Sequence, residues 1–264
     1  MRYFIHLGFD GGNFRGWQKQ KQTSKTVQEV IERALSKVLK QEISIYGCGR
    51  TDAGVHASQY VIQFYLENKP DFDLHFRLNK NLPNSIAVFE IFEVEEDQHC
   101  RYNATARTYD YFIHLHKTPF LVQYSSFYGG LKLDLDAMHK CTELIKKSHD
   151  FRALCKQPDL YRDTLCRVFN CQLFVNEDSG RLRFTITSNR FLRGMVRYCV
   201  FFLLEIGQGK LSIDEFKRIL SLELTDFSKH PAMPNGLFLS KIEYPFLELA
   251  ESHHLIKMLK QGLE

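Results

Sequence analysis

Residues 48–66, CGRTDAGVHASQYVIQFYL, run from a glycine-rich turn directly into an alternating apolar stretch. Side chains alternate across a strand, so Tyr60, Ile62 and Phe64 share one face of a strand expected over 59–66. Upstream, 43–46 reads as a short strand. Before it, Thr26 followed by Glu29 has the form of a capping box, and Val27, Val30, Ile31, Ala34, Leu35 and Val38 recur at helical spacing. The chain opens with RYFIHLGFD, residues 2–10, whose Tyr3, Ile5, Leu7 and Phe9 form one side of another strand. Downstream, a short helix over 74–81 ends before Pro83, and a fourth strand covers 86–94. Strand, helix, two strands, helix, strand is the order of a split βαβ, ferredoxin-like unit.

A second round begins near residue 100. It comprises a strand over 105–116, a helix over 135–147 and a hairpin of 167–175 and 181–188 turning through NEDSG. An apolar helix is expected over 191–206, stopping at Gly207, and a further helix over 213–222 capped by Ser212 with Glu215 in the reciprocal position. A last strand over 237–243 and a C-terminal helix over 246–263 complete the chain. Mixed order argues α+β and not a doubly wound parallel sheet. The expectation is two ferredoxin-like halves, 1–100 and 101–264, sharing a continuous, mainly antiparallel central sheet with helices packed on it and a cleft between the halves.

With 264 residues, 44% of them hydrophobic, the chain is long enough to bury two cores, and most of its 22 Phe and 12 Tyr belong there. A net charge of +4 permits a nucleic-acid partner without demanding one. Seven cysteines, an odd number with no CxxC pair and no zinc spacing, read as reduced thiols of a cytosolic protein. The start has no signal-peptide pattern, and the apolar stretch from Tyr198 to Leu204 is too short for a bilayer, so no membrane association is expected.

Asp52 is the chemical question. An Asp in a turn most often accepts backbone N–H bonds. A glycosidase would need a second carboxylate, and Asp10 and Glu29 are committed to a turn and a cap. A metal site would need several ligands, whereas His56 stands alone. A nucleophilic carboxylate held in its charged form by arginine fits better. Arg50 is two residues away, and Arg190, Arg193 and Arg197 fall at i, i+3 and i+7 of the expected apolar helix.

Six stretches, in order, resemble the tRNA pseudouridine synthase A family. They are GFDGGNFRGWQKQ at 8–20, GRTDAGVHA at 49–57, NLPNSIAV at 81–88, ATARTYDYFI at 104–113, RFLRGMVRY at 190–198 and PNGLFLSKIEYP at 234–245. The first carries Phe9 where the family usually has Tyr. The resemblance implies Asp52 as catalytic nucleophile, with Arg197 as its ion-pair partner. It further implies Tyr109 as the ring stacking on the target uracil and Arg50 as the side chain filling the gap left by the flipped base. Tyr111, His56, Arg101, Arg190 and Arg193 are expected to assist substrate binding. Lys19, Lys21 and Lys25 are added as candidate phosphate contacts.

The implied reaction converts uridine to pseudouridine at positions 38, 39 or 40 of the tRNA anticodon stem-loop. It needs no cofactor and no metal, and is carried out by a cytoplasmic homodimer. A non-catalytic RNA-binding module or tRNA chaperone of the same fold is one alternative, and a different isomerase or N-glycosidase acting on a free nucleoside, which would need neither the arginine face nor the GWQ stretch, is another. The stretch CKQPDLYRDTLCR, 155–167, and the tail after Leu247 carry no functional reading.

Overall fold

The computed structural model describes residues 1–250 and 254–264. In chain order the elements are β1 (Arg2–Phe9), α1 (Val27–Leu39), β2 (Tyr46–Gly47), β3 (His56–Tyr65), α2 (Leu74–Asn81), β4 (Ile86–Val94), β5 (Ala106–His114), β6 (Ser126–Phe127), α3 (Leu135–Lys147), β7 (Val168–Asn176), β8 (Arg181–Ser188), α4 (Met195–Gly207), α5 (Ile213–Leu220), β9 (Leu237–Glu243) and α6 (His254–Lys260). They divide into two units, one of residues 1–105 with 238–256, the other of 106–237 with 257–264. The fold is α+β, and the strand pairing within each unit is mainly antiparallel.

In the first unit β1 lies between β3 and β4, with Ile5 opposite Ile62 on one side and Ile91 on the other. A strand paired on both sides and covered on both faces should be apolar throughout, and every residue from Tyr3 to Phe9 is buried. Thr26 caps α1 by accepting from the Glu29 N–H at 3.3 Å, and Asp73 caps α2 through the Phe76 N–H at 2.9 Å. β9 returns to pair in parallel with β3, His56 opposite Phe238. Buried Gln59 holds that return by accepting from the Ile242 N–H at 2.6 Å and donating to the Ala250 carbonyl at 3.2 Å.

In the second unit β5 pairs antiparallel with β8, placing Tyr109 opposite Ile186 and Tyr111 opposite Phe184. It also pairs in parallel with β6. α3 packs on β7 and against α4 and α5. Gly207 permits the close approach of α3 and α4, since a Cβ there would meet Met138 Sδ at 2.6 Å. Asp110, fully buried on β5, pairs with Arg183 at 2.8 Å and with Lys260 at 3.3 Å. Arg183 also donates to the Leu263 carbonyl at 3.1 Å, so these charges fasten the chain end to the sheet.

Several elements differ from expectation. The short strand before the loop is Tyr46–Gly47 and not 43–46. Residues 246–250 are not helical, 251–253 lie outside the described residues, and α6 covers only His254–Lys260. The largest difference is α4, which begins at Met195. Gly194 takes φ of +74° at its N-cap, a left-handed conformation that breaks the helical path, so Arg190 and Arg193 precede the helix. Among the described residues, no helix is long and apolar enough to cross a membrane. All seven cysteines are buried free thiols.

Candidate active site

The Asp52 loop is shaped by the stretch between β1 and α1. Trp17 N–H donates to the Thr51 carbonyl at 3.1 Å, Gly54 N–H to the Phe14 carbonyl at 3.3 Å, and Val55 N–H closes the turn onto the Asp52 carbonyl at 3.2 Å. The two loops approach so closely that two positions on the first exclude a side chain. A Cβ on Gly11 would lie 1.9 Å from the Val55 carbonyl oxygen, and one on Gly16, at φ of +95°, 2.8 Å from that of Thr51. Trp17 and Tyr60 pack ring to ring at 4.3 Å beneath, and the Tyr60 hydroxyl donates to the Gly49 carbonyl. Asp52, partly buried, is thus carried on a backbone fixed by a second backbone.

His56 is a tie and not a surface group. It is 1% exposed, stacks on Phe238 at 4.7 Å, and its Nδ1 lies 3.1 Å from the Gly11 N–H and 3.0 Å from Asp10 Oδ1. That nitrogen accepts from Gly11 when unprotonated or donates to Asp10 when protonated, and either bond joins the first loop to β3. Arg50 and Arg101, both exposed, line one cleft of this unit. Lys19 is engaged with Glu32 at 3.3 Å and Glu29 at 3.5 Å, while Lys21 and Lys25 are solvated or nearly so.

In the second unit Tyr109 is buried on β5, its ring edge-on to Phe191 at 4.9 Å. Two residues on, Tyr111 is wholly buried, its hydroxyl 2.8 Å from Ser126 Oγ and 2.9 Å from the Met233 carbonyl. Burial pushes its phenol well above the ordinary 10.0, with Tyr128 nearby adding to the rise and the Arg197 charge opposing it. Arg197, on α4, donates from Nε to the Ala232 carbonyl at 2.6 Å. Tyr111 and Arg197 are therefore brought together.

Arg190 and Arg193 are not: they do not share a helical face with Arg197. Arg190 pairs with Asp163 at 3.1 Å, and Arg193 donates to Gln157 at 2.8 Å while its backbone N–H meets the Tyr161 hydroxyl at 3.0 Å. Both hold the 155–167 loop, which supplies the structural role the sequence left blank. The sequence alone assigned no site role to Trp17, Tyr60 or Tyr102. The first two carry the loop's floor, and the third is a 76% exposed ring beside Arg101, a pairing visible in the string RYN. Among the described residues no group of three or more His, Cys, Asp or Glu could hold a metal ion.

The first unit thus carries a carboxylate on a braced glycine loop, and the second carries a buried strand tyrosine and a helix arginine. The pattern of the family described as tRNA pseudouridine synthase matches residues 8–103 and 148–245. Asp52, Arg50, His56, Arg101, Arg190, Arg193 and Arg197 fall inside the matched segments, and Tyr109 and Tyr111 between them. A tRNA pseudouridine synthase A of Bacteroides fragilis is 39% identical over 92% of this chain and 96% of its own length. Proteins of the same name from Bacteroides thetaiotaomicron and Chlorobium phaeobacteroides are each 37% identical, covering 100% and 91% of this chain and 99% and 92% of their own lengths. The chain belongs to the tRNA pseudouridine synthase family, a family of isomerases.

Proposed function

We propose that the chain converts uridine to pseudouridine in the anticodon stem-loop of tRNA, at one or more of positions 38, 39 and 40, with Asp52 as nucleophile. The observation that carries this reading is the bracing of the Asp52 loop by Gly11, Gly16 and Trp17, inside a segment matched to the family. A turn that only needed a cap would not require a second backbone packed within van der Waals limits behind it.

Reaching a stacked uridine costs a few kcal/mol of unstacking. Tyr109 offsets part of that by receiving the everted base, since stacking on an aromatic ring is worth about 1–3 kcal/mol per base. Arg50, exposed and long, enters the gap in the RNA. Asp52 then assists cleavage of the bond between uracil N1 and ribose C1′. The freed ring turns in place, C5 bonds to C1′, the proton leaves C5, and N1 acquires one. Arg197 supplies the guanidinium that keeps the carboxylate in its nucleophilic form. Tyr111 positions Tyr109 and Arg197, and His56 positions the loop. Every atom of the product comes from uridine apart from an exchanged proton, so the reaction calls for no cofactor. The enzyme works as a cytoplasmic homodimer that recognises the folded tRNA largely by shape and phosphate contacts.

The test is release of tritium from tRNA labelled at uridine C5, run beside the Asp52→Asn variant. Release by the wild type alone supports the reading. A wild type that binds tRNA without releasing label defines a binding module instead, and undiminished release by the variant removes Asp52 from the chemistry.

A further inference from the structure

The cleft that Arg50 and Arg101 share has a volume of about 530 Å³ and lies entirely within the first unit. No acidic side chain lines it. Along its wall stand Tyr46, 54% exposed, Tyr65, and Tyr102, with the Arg101 guanidinium 5.8 Å from the Tyr102 ring centre. His99 continues the aromatic surface, 4.4 Å from Tyr102 and 6.0 Å from Tyr46. Exposed rings beside guanidinium groups, without a carboxylate, suit a nucleotide: the ring takes the base and the cation the phosphate.

Gly49 points the same way. Its φ is not left-handed, and a Cβ built on it would meet nothing within 4 Å, so neither backbone conformation nor packing in the free protein calls for glycine there. It lines the cleft. A bare backbone at a wall is what a ligand in close approach requires. Gly47, also at the wall, is different, since a Cβ there would strike the Tyr60 hydroxyl at 2.4 Å and the Trp17 ring at 2.6 Å.

We propose that this cleft is a second nucleotide site, which holds the ribonucleotide adjoining the target uridine, its base against Tyr102, its phosphate at Arg101 and its sugar edge on Gly49. The inference rests on the function proposed above. If Arg50 fills the gap left by the everted uridine, the residue flanking that gap is the one within reach of a cleft that Arg50 also lines. Single-strand stacking of this kind tolerates any base, so the site sets the path of the strand and not its sequence.

Two measurements on the full chain test it. First, p-benzoylphenylalanine is placed at position 102 and irradiated with whole substrate tRNA. The crosslink should map within one or two nucleotides of the uridine that wild-type enzyme converts. A distant or scattered crosslink, or one to a second protein chain, overturns the proposal. Second, Gly49→Ala and Tyr102→Ala should each raise KM for tRNA about tenfold, by more than any fall in kcat, with the melting temperature unchanged. Unaltered KM in both variants overturns it. Arg101→Gln should also flatten the dependence of log affinity on log salt by about 0.7, the share of one single-strand phosphate contact. Failure here leaves wild-type tritium release intact, whereas failure of the function itself abolishes that release before any variant is made.

Discussion

Two aspartates, one in each unit, are placed in opposite ways. Asp110 sits in the middle of β5 with no exposure, matched by Arg183 and Lys260, and its surroundings answer its charge within the fold. Asp52 sits partly buried on a loop whose fixed element is the backbone, held by N–H donors and glycines of the preceding loop. In the first case side chains close around the carboxylate; in the second the close packing is between two backbones. A buried, doubly paired charge is a structural fastener whose loss strands its partners, while the carboxylate on the braced turn is the group that the function proposed above assigns to the RNA.

The sharpest way to break that contrast is to neutralise each group without changing its size. Asp52→Asn should lower tritium release by on the order of 10⁴-fold, the scale of losing a nucleophile, while leaving the melting temperature within about 2 °C of wild type. Asp110→Asn should do the reverse. It leaves Arg183 and Lys260 uncompensated at a buried position and should cost about 3 kcal/mol of stability in denaturant titrations. Turnover of the fraction that stays folded should keep the wild-type order of magnitude. Were Asp110→Asn the inactive but stable variant, the two assignments would be interchanged.

Gly11→Ala tests the bracing itself. A methyl 1.9 Å from the Val55 carbonyl cannot be accommodated without moving one loop. The expected cost is about 1–3 kcal/mol, the range for overpacking, with turnover falling further than stability because Asp52 rides on the displaced segment. A variant that is destabilised yet fully active would show that the loop's position does not matter. Arg193→Gln should be milder. It removes one bond to Gln157 at an exposed site, so stability should fall by under about 1 kcal/mol, with faster proteolysis within 155–167.

How much of this could be read from the letters alone depends on how local each determinant is. Strand alternation and the caps at Thr26 and Ser212 are written within a few residues, and they located β1, α1 and α5. The return of 238–256 to the first unit was not legible, because the partner of Phe238 is His56, far away in the chain. The arginine row failed for a different reason. Apolar spacing alone carries a helix backward through Gly194, but a glycine followed by an apolar run is equally a start signal, and the left-handed φ at that position decided it. In the site, the Asp52 loop was visible as a string. The need for glycine at 11 and 16 became visible only when the other loop was seen behind them.

The smallest effect separates the units by proton uptake. Burial, then Arg2 and Arg101, hold His99 below the ordinary imidazole value of 6.5; burial, then Arg181, does the same for His114 in the second unit. A lowered folded pKa means that the unfolded chain binds the proton more readily. The contribution of each to stability is therefore fully present above pH 6.5 and is lost as pH falls through the folded value, so the melting temperature should drop by about a degree or two on acidification. Binding should then tell the two apart. A phosphate entering the cleft beside Arg101 offsets the positive field at His99 and raises its pKa, while His114 lies in the other unit beside Arg181 and Ser125. Titrating the imidazole resonances by NMR with and without tRNA should move His99 upward and leave His114 in place; equal shifts would mean that the change reports a general rearrangement, and a stationary His99 that no anion occupies the cleft.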